Sequence, residues 1–377
     1  MKMSTAALTF LAATAAAVFF APRNTPPSDL RDAVADDFSA SLSTPGGSAA
    51  VPAAPEPRPA DARKAPGHDY AITDAALTDA NADAATKKLY AFLRSQYGRR
   101  ILSGQTTKYF SELTALAGHT PAVRAFDMTG YSPHNPWHGD APWEDGTVQA
   151  AIDWYNGTKA KGVVTFQWHW FSPAGGQPRT STFYTNQTSF DVSRAVVPGT
   201  PEYAAVVGDI DAIAAQLKRL RDAGVPVLWR PLHEAGGGWF WWGAKGAGPC
   251  LKLYDLMYDR LTNYHQLHNL IWVWATPEPA WYPGNGKVDL VGFDSYPGAY
   301  VYTPPKATFD ALYALVSGRK MIALTENGPI PDIAQSLALD AKWAYFVSWN
   351  DLVASQNSPE HIRASFGHPG VVTLGND

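Results

Sequence analysis

Apolar and polar positions follow two periods along this chain. Short runs of β-prone apolar residues recur at Arg100–Gln105, Ala122–Met128, Val163–Trp168, Val225–Pro231, Asn269–Ala275, Val288–Asp294, Met321–Glu326 and Ala344–Trp349. Segments with helical periodicity stand beside most of them, among them Ala84–Tyr97, Asp209–Ala223 and Leu251–His265. Near-continuous apolar strands suit a parallel sheet whose outer face is covered by helices, because neither face then meets water. Eight such runs over about 300 residues predict an α/β fold of the (β/α)8 TIM barrel type. One link breaks the pattern. Thr276–Lys287 is short and rich in Pro and Gly, so no full helix is expected there.

The pattern fails before residue 69. Lys2 is followed by an apolar run from Ala6 to Ala21, which predicts a signal peptide for export over residues 1–21. The run is short for a membrane span, and Phe19 and Phe20 occupy positions where cleavage prefers small side chains. An uncleaved N-terminal membrane tether is therefore the alternative reading of the same segment. Residues 22–68 are rich in Pro, Ala, Ser and Asp, lack apolar periodicity, and read as a disordered linker. Residues 69–377 form the folded barrel module, expected outside the cytoplasm, either secreted or periplasmic, and monomeric.

Composition narrows the choice of ligand. The net charge is −4 with 17% charged residues, which speaks against a nucleic-acid partner. The chain carries 14 Trp, 17 Tyr and 16 Phe, a load that fits a neutral ligand with broad apolar faces, such as a polysaccharide. Cys250 is the single cysteine, so neither an intrachain disulfide nor a cysteine metal cage can form. His265 and His268 have metal-like spacing without a third ligand in view, and no metal or cofactor is expected.

If the fold is a barrel, chemistry belongs at the C-terminal ends of its strands. Those ends carry His169, His233-Glu234, Asp294-Ser295-Tyr296, Glu326 and Trp349. Glu234 and Glu326 lie three βα units apart, which sets them on opposite sides of the mouth. Two carboxyl groups facing one another across a cleft suit glycoside cleavage, one as proton donor and one as nucleophile. The stretch Pro226–Gly243, PVLWRPLHEAGGGWFWWG, adds flexible backbone and a block of aromatic rings beside Glu234. Arg230 falls on the same strand face as Glu234 by period-two alternation and is placed to neutralise carboxylates inside the barrel. Asp127 and Asp294 read as structural rim residues.

These pieces resemble glycoside hydrolase family 26, the β-mannanase family of the retaining clan with catalytic glutamates on strands four and seven. The resemblance is carried by LSGQ (102–105), PAVRAFDM (121–128), QWHW (167–170) and WRPLHEAGGGWFWWG (229–243). It continues through NLIWVW (269–274), VDLVGFDSY (288–296), ALTENGPIPD (323–332) and FVSWN (346–350). Ala235 and Gly236 depart from the Met and Asn that the family often has there. The resemblance implies Glu234 as general acid/base and Glu326 as nucleophile of a retaining endo-β-1,4-mannanase. It further implies His233 orienting Glu234, Tyr296 hydrogen-bonding the nucleophile, His169 contacting the sugar, and Trp239 and Trp349 walling the subsites. Glu234 should be held protonated by apolar surroundings and Glu326 ionised by its donors. The same mechanism on β-1,3-1,4-glucan or β-1,3-xylan, exo action on mannan, and a noncatalytic carbohydrate-binding barrel stand as alternatives.

Overall fold

The apolar runs are continuous because the strands they form are buried on both faces. In the computed structural model, which describes residues 67–74, 76–136 and 145–375, eight parallel strands close into a barrel. In chain order they are β1 (Gly104–Thr106), β2 (Val123–Asp127), β3 (Val163–Gln167), β4 (Val227–Arg230), β5 (Leu270–Trp274), β6 (Leu290–Ser295), β7 (Met321–Asn327) and β8 (Phe346–Ser348). Each pairs with its sequence neighbour, and β8 closes on β1 through Ser348 and Gln105. β3, β4, β5 and β7 are buried at every position.

Helices cover the barrel much as their periodicity predicts, with shifted ends. The helix before β4 runs from Pro201 to Asp222, beginning earlier than Asp209, because Thr200 caps it by accepting from the Tyr203 amide at 3.1 Å. The helix expected at Leu251–His265 is regular over Ala247–Tyr258 and continues as a wider turn over Asp259–Tyr264. Cys250 lies buried in its first turn, where burial pushes the thiol pKa up. The link between β5 and β6 holds only one short helical turn, Pro279–Trp281.

Two features shape the end of the barrel opposite the mouth. A small sheet joins Ile101–Leu102 to Val371–Leu374 in parallel, and Thr120–Pro121 to the same strand antiparallel. The packed module also begins slightly earlier than residue 69. His68 hydrogen-bonds the Asp340 side chain through its amide (2.5 Å) and Nδ1 (3.1 Å), and its Nε2 lies 3.0 Å from Asp310. The Phe309 and Tyr313 rings enclose it. Residues 1–21, expected to direct export, and most of the expected linker lie outside the described residues. No described helix is long and apolar enough to cross a membrane.

Candidate active site

Strand register gathers a polar layer at the mouth. Asp127 of β2 pairs in register with Gln167 of β3, and Gln167 with Arg230 of β4. Across the barrel, Asp294 of β6 stands beside Glu326 of β7. That second pairing depends on a β-bulge: Phe293 pairs with Leu324 but Asp294 with Glu326, which leaves Thr325 extra on β7. Gly292 makes room for it, since a Cβ there would lie 2.4 Å from the Thr325 methyl group.

Arg230 ties the layer together. Its guanidinium donates to Asp294 Oδ2 at 2.8 Å, to Glu326 Oε1 and to Gln167 Oε1. Asp294 also accepts from the Thr325 hydroxyl at 2.6 Å. Burial opposes the Arg230 cation, but Asp294, Glu326 and Glu234 outweigh it and hold its pKa above the ordinary value. Breaking such a buried pair by removing one partner costs about 3–5 kcal/mol, because the remaining charge stays in the interior. Arg230 therefore does neutralise carboxylates, with Glu326 and Asp294 as its direct partners.

Glu234 is set apart from that network. The β-strand ends at Arg230, and the chain turns sharply through Leu232 (φ 50°) and Glu234 (φ 53°), both in the left-handed region. This turn delivers the Glu234 carboxyl to the centre, where oxygens of Glu234, Asp294 and Glu326 lie within 4.8 Å of one another. Trp239 donates its indole N–H to Glu234 Oε2 at 2.9 Å. Its ring lies over Gly237, where a Cβ would come within 2.1 Å of it.

The aromatic block divides its labour. Trp239 is 49% exposed, whereas Phe240, Trp241 and Trp242 are fully buried. Those three are core rather than substrate wall, with Phe240 stacked on Trp242 at 4.5 Å. His233 is likewise fully buried. Its ring does not turn to Glu234: Nε2 lies 3.3 Å from Nε2 of His169, and Phe240 and Trp242 pack against it. The expected orienting contact of His233 with Glu234 is therefore replaced by a supporting position behind His169. His169 in turn holds Asp127 through Nδ1 at 2.5 Å, with the Trp349 ring 5.8 Å away on its other side. Asp127 is thus bound into the site, where only a structural rim role was expected. Tyr296 donates to Glu326 Oε2 at 2.6 Å, and burial with the surrounding carboxylates keeps its hydroxyl protonated.

The two central carboxyls differ in proton affinity. Burial raises Glu234 well above its ordinary range, and the negative charges of Asp294 and Glu326 push it further. Burial also raises Glu326, to about 7, against the pull of Arg230 and Tyr296. Arg230 and Tyr296 favour the Glu326 anion, as expected of its donors, while burial works against them. The order survives: Glu326 has the cation and the hydroxyl, so it releases its proton before Glu234.

Gln167 and Thr325 carry no mark in a single-residue reading. Their signal is that they are polar side chains in otherwise apolar strands, at matching strand ends. The remaining candidates stand elsewhere: His265 bonds Asp211 at 2.6 Å, and His268 bonds Asp79 at 2.8 Å, so each has its own carboxylate.

Residues 78–376 match the model of glycosyl hydrolase family 26. The chain belongs to glycosyl hydrolase family 26. It is 44% identical over 310 residues to a mannan endo-1,4-beta-mannosidase of Thermothelomyces thermophilus, covering 79% of this chain and 62% of that protein. Among solved structures, the family 26 β-(1,4)-mannanase with a CBM35 module from Podospora anserina superposes with TM-score 0.77 at 39% identity, over 86% of this chain and 71% of that one. A β-mannanase from a symbiotic protist of the termite Reticulitermes speratus, complexed with gluco-manno-oligosaccharide, superposes with TM-score 0.74 at 32% identity, over 82% of this chain and 98% of that one. The chain spans 62%, 53% and 50% of three mannan endo-1,4-beta-mannosidases that it matches, one from Thermothelomyces thermophilus and two from Piromyces.

Proposed function

We propose that this family 26 glycosyl hydrolase is a retaining endo-β-1,4-mannanase, with Glu234 as general acid/base and Glu326 as nucleophile. The observation that carries the mechanism is the convergence of these carboxyls within 4.8 Å, in surroundings that separate their proton affinities. Double displacement needs carboxyl groups about 5–5.5 Å apart, without room for an intervening water. The mannan assignment rests on the names of the relatives.

The steps follow from the contacts. Trp239 N–H is a pure donor, so Glu234 Oε2 serves it as acceptor and the acidic proton is favoured on Oε1. That proton passes to the leaving glycosidic oxygen while ionised Glu326 attacks the anomeric carbon. Arg230 and Tyr296 hold Glu326 in place for the attack. Forming the glycosyl ester cancels the negative charge of Glu326, which lowers the proton affinity of Glu234. Glu234 then takes a proton from water, and the water oxygen opens the ester with overall retention. Trp239 and Trp349 are the apolar walls against which the sugars lie; the expected sugar contact by His169 gives way to a charge-setting place beside them, because its ring nitrogens face Asp127 and His233.

We also propose export through residues 1–21 and action as a monomer. One experiment tests the reading: secreted protein is collected, its N-terminus sequenced, and reducing-sugar release followed on linear mannan, galactomannan, mixed-linkage β-glucan and β-1,3-xylan. Clear preference for the mannans is expected, with internal cuts that drop viscosity early and an N-terminus beyond residue 21. Preference for either other glycan overturns the specificity, and silence on all four with folded protein overturns the activity.

A further inference from the structure

From the contacts of Asp127 we infer that it is a positioning residue, which localises the proton of the His169–His233 pair on His169 and so presents that pair to Glu326 as a single cationic group. The inference rests on the reading of Glu326 as nucleophile.

Asp127 is surrounded by donors. Its Oδ2 lies 2.5 Å from His169 Nδ1 and accepts from Gln167 Nε2 at 3.0 Å. Its Oδ1 accepts from the amides of Thr129 (2.8 Å) and His169 (3.1 Å) and from the Thr129 hydroxyl. Burial opposes the anion, but His169 and these donors outweigh it and hold Asp127 well below the usual carboxylate range. An ionised carboxylate is an acceptor only, so His169 Nδ1 carries a hydrogen.

The other end of the ring is shared. His169 Nε2 and His233 Nε2 face one another at 3.3 Å, and one hydrogen bridges them. Asp127 acts on His233 only through space, and the buried His233 Nδ1 has no hydrogen-bond partner among the described residues. Burial, the Arg230 cation and His169 all disfavour a charge on it. In the neutral pair, His233 Nε2 owns the bridging hydrogen. In the protonated pair, that hydrogen belongs to His169 Nε2, the added one sits on His233 Nδ1, and the positive charge rests against Asp127. The charged groups around His169 are Asp127 from β2, Arg230 with His233 from the β4 side, and Glu326 from β7. Phe183, Phe240 and Trp349 complete the enclosure. A cation on His169 lowers the proton affinity of Glu326, alongside Arg230 and Tyr296.

Nitrogen-15 NMR of the histidine rings in the full-length wild-type protein reads this directly, with His169→Gln used for assignment. The expected result is a hydrogen on His169 Nδ1 throughout, with the positive charge of the protonated pair on His169. That charge on His233 instead, or a bare His169 Nδ1, overturns the inference. In Asp127→Asn the acid limb of kcat/KM should move to higher pH, and kcat should fall about tenfold or more with KM little changed. A superimposable pH profile in folded Asp127→Asn protein also overturns it. If that variant does not fold, the wild-type spectrum decides alone. The spectrum is independent of substrate, so failure here is distinct from failure of the hydrolase reading.

Discussion

The two ends of the barrel use the same residue types to opposite effect. Away from the mouth, His68 sits between Asp340 and Asp310, which in turn face Lys342 (3.4 Å) and Lys306 (2.5 Å). Most of these groups keep contact with water, so opposite charges alternate with little desolvation cost and modest gain. At the mouth, one guanidinium answers for Asp294 and Glu326, with Glu234 close by; the first three side chains are removed from bulk water and Glu234 is half-buried. Negative charge is in excess there. Burial and that excess together lift the proton affinity of Glu234, whereas the balanced cluster below has no charge left over.

Removing the excess is the severest way to break this contrast. Glu326→Ala should lower turnover of mannan by roughly four orders of magnitude. Glu234→Ala should match it on mannan yet spare the first step on an aryl mannoside, whose leaving group needs no proton. Steady-state and burst kinetics, with urea unfolding to check the fold, separate these outcomes, and near-wild-type turnover in either variant would refute its role.

Asp294→Asn sharpens the contrast instead. Asp294 raises the proton affinity of both Glu234 and Glu326, so its loss should move both limbs of the kcat/KM profile to lower pH, by about one unit. The sign follows because activity needs Glu326 ionised and Glu234 protonated. Limbs that stay put, or move upward, would remove Asp294 from the account. The smallest effect is expected at the other end: His68→Ala should cost about 1 kcal/mol, lower Tm by a few degrees, and leave kcat and KM unchanged. A kinetic change in that variant would show the two ends to be linked.

Much of this was legible along the chain because strands and strand ends are local. Eight apolar runs locate the eight barrel strands, and the carboxyls of Glu326, near the end of β7, and Glu234, in the turn after β4, meet at the mouth. Tyr296 reaches Glu326 as the resemblance implies. What escapes is set by contacts between distant parts of the sequence. Period-two alternation puts Arg230 on the face of Glu234, yet the alternation stops at Arg230, and it is the left-handed turn that carries Glu234 to the centre. Arg230 then finds partners on β6 and β7. The His68 anchor needs Asp340, which no local pattern connects to it. His233 looked like a neighbour of Glu234 because adjacency in sequence is visible, whereas ring direction after a sharp turn is not.

Gly67 lies beside the Asp340 clasp, and Gly375 follows the strand Val371–Leu374, which pairs with the residues just ahead of β1 and β2. Both points lie on the face turned away from Trp239. A reporter domain or solid support joined near Gly375 would therefore grip the protein at the end of the barrel opposite its carboxyls.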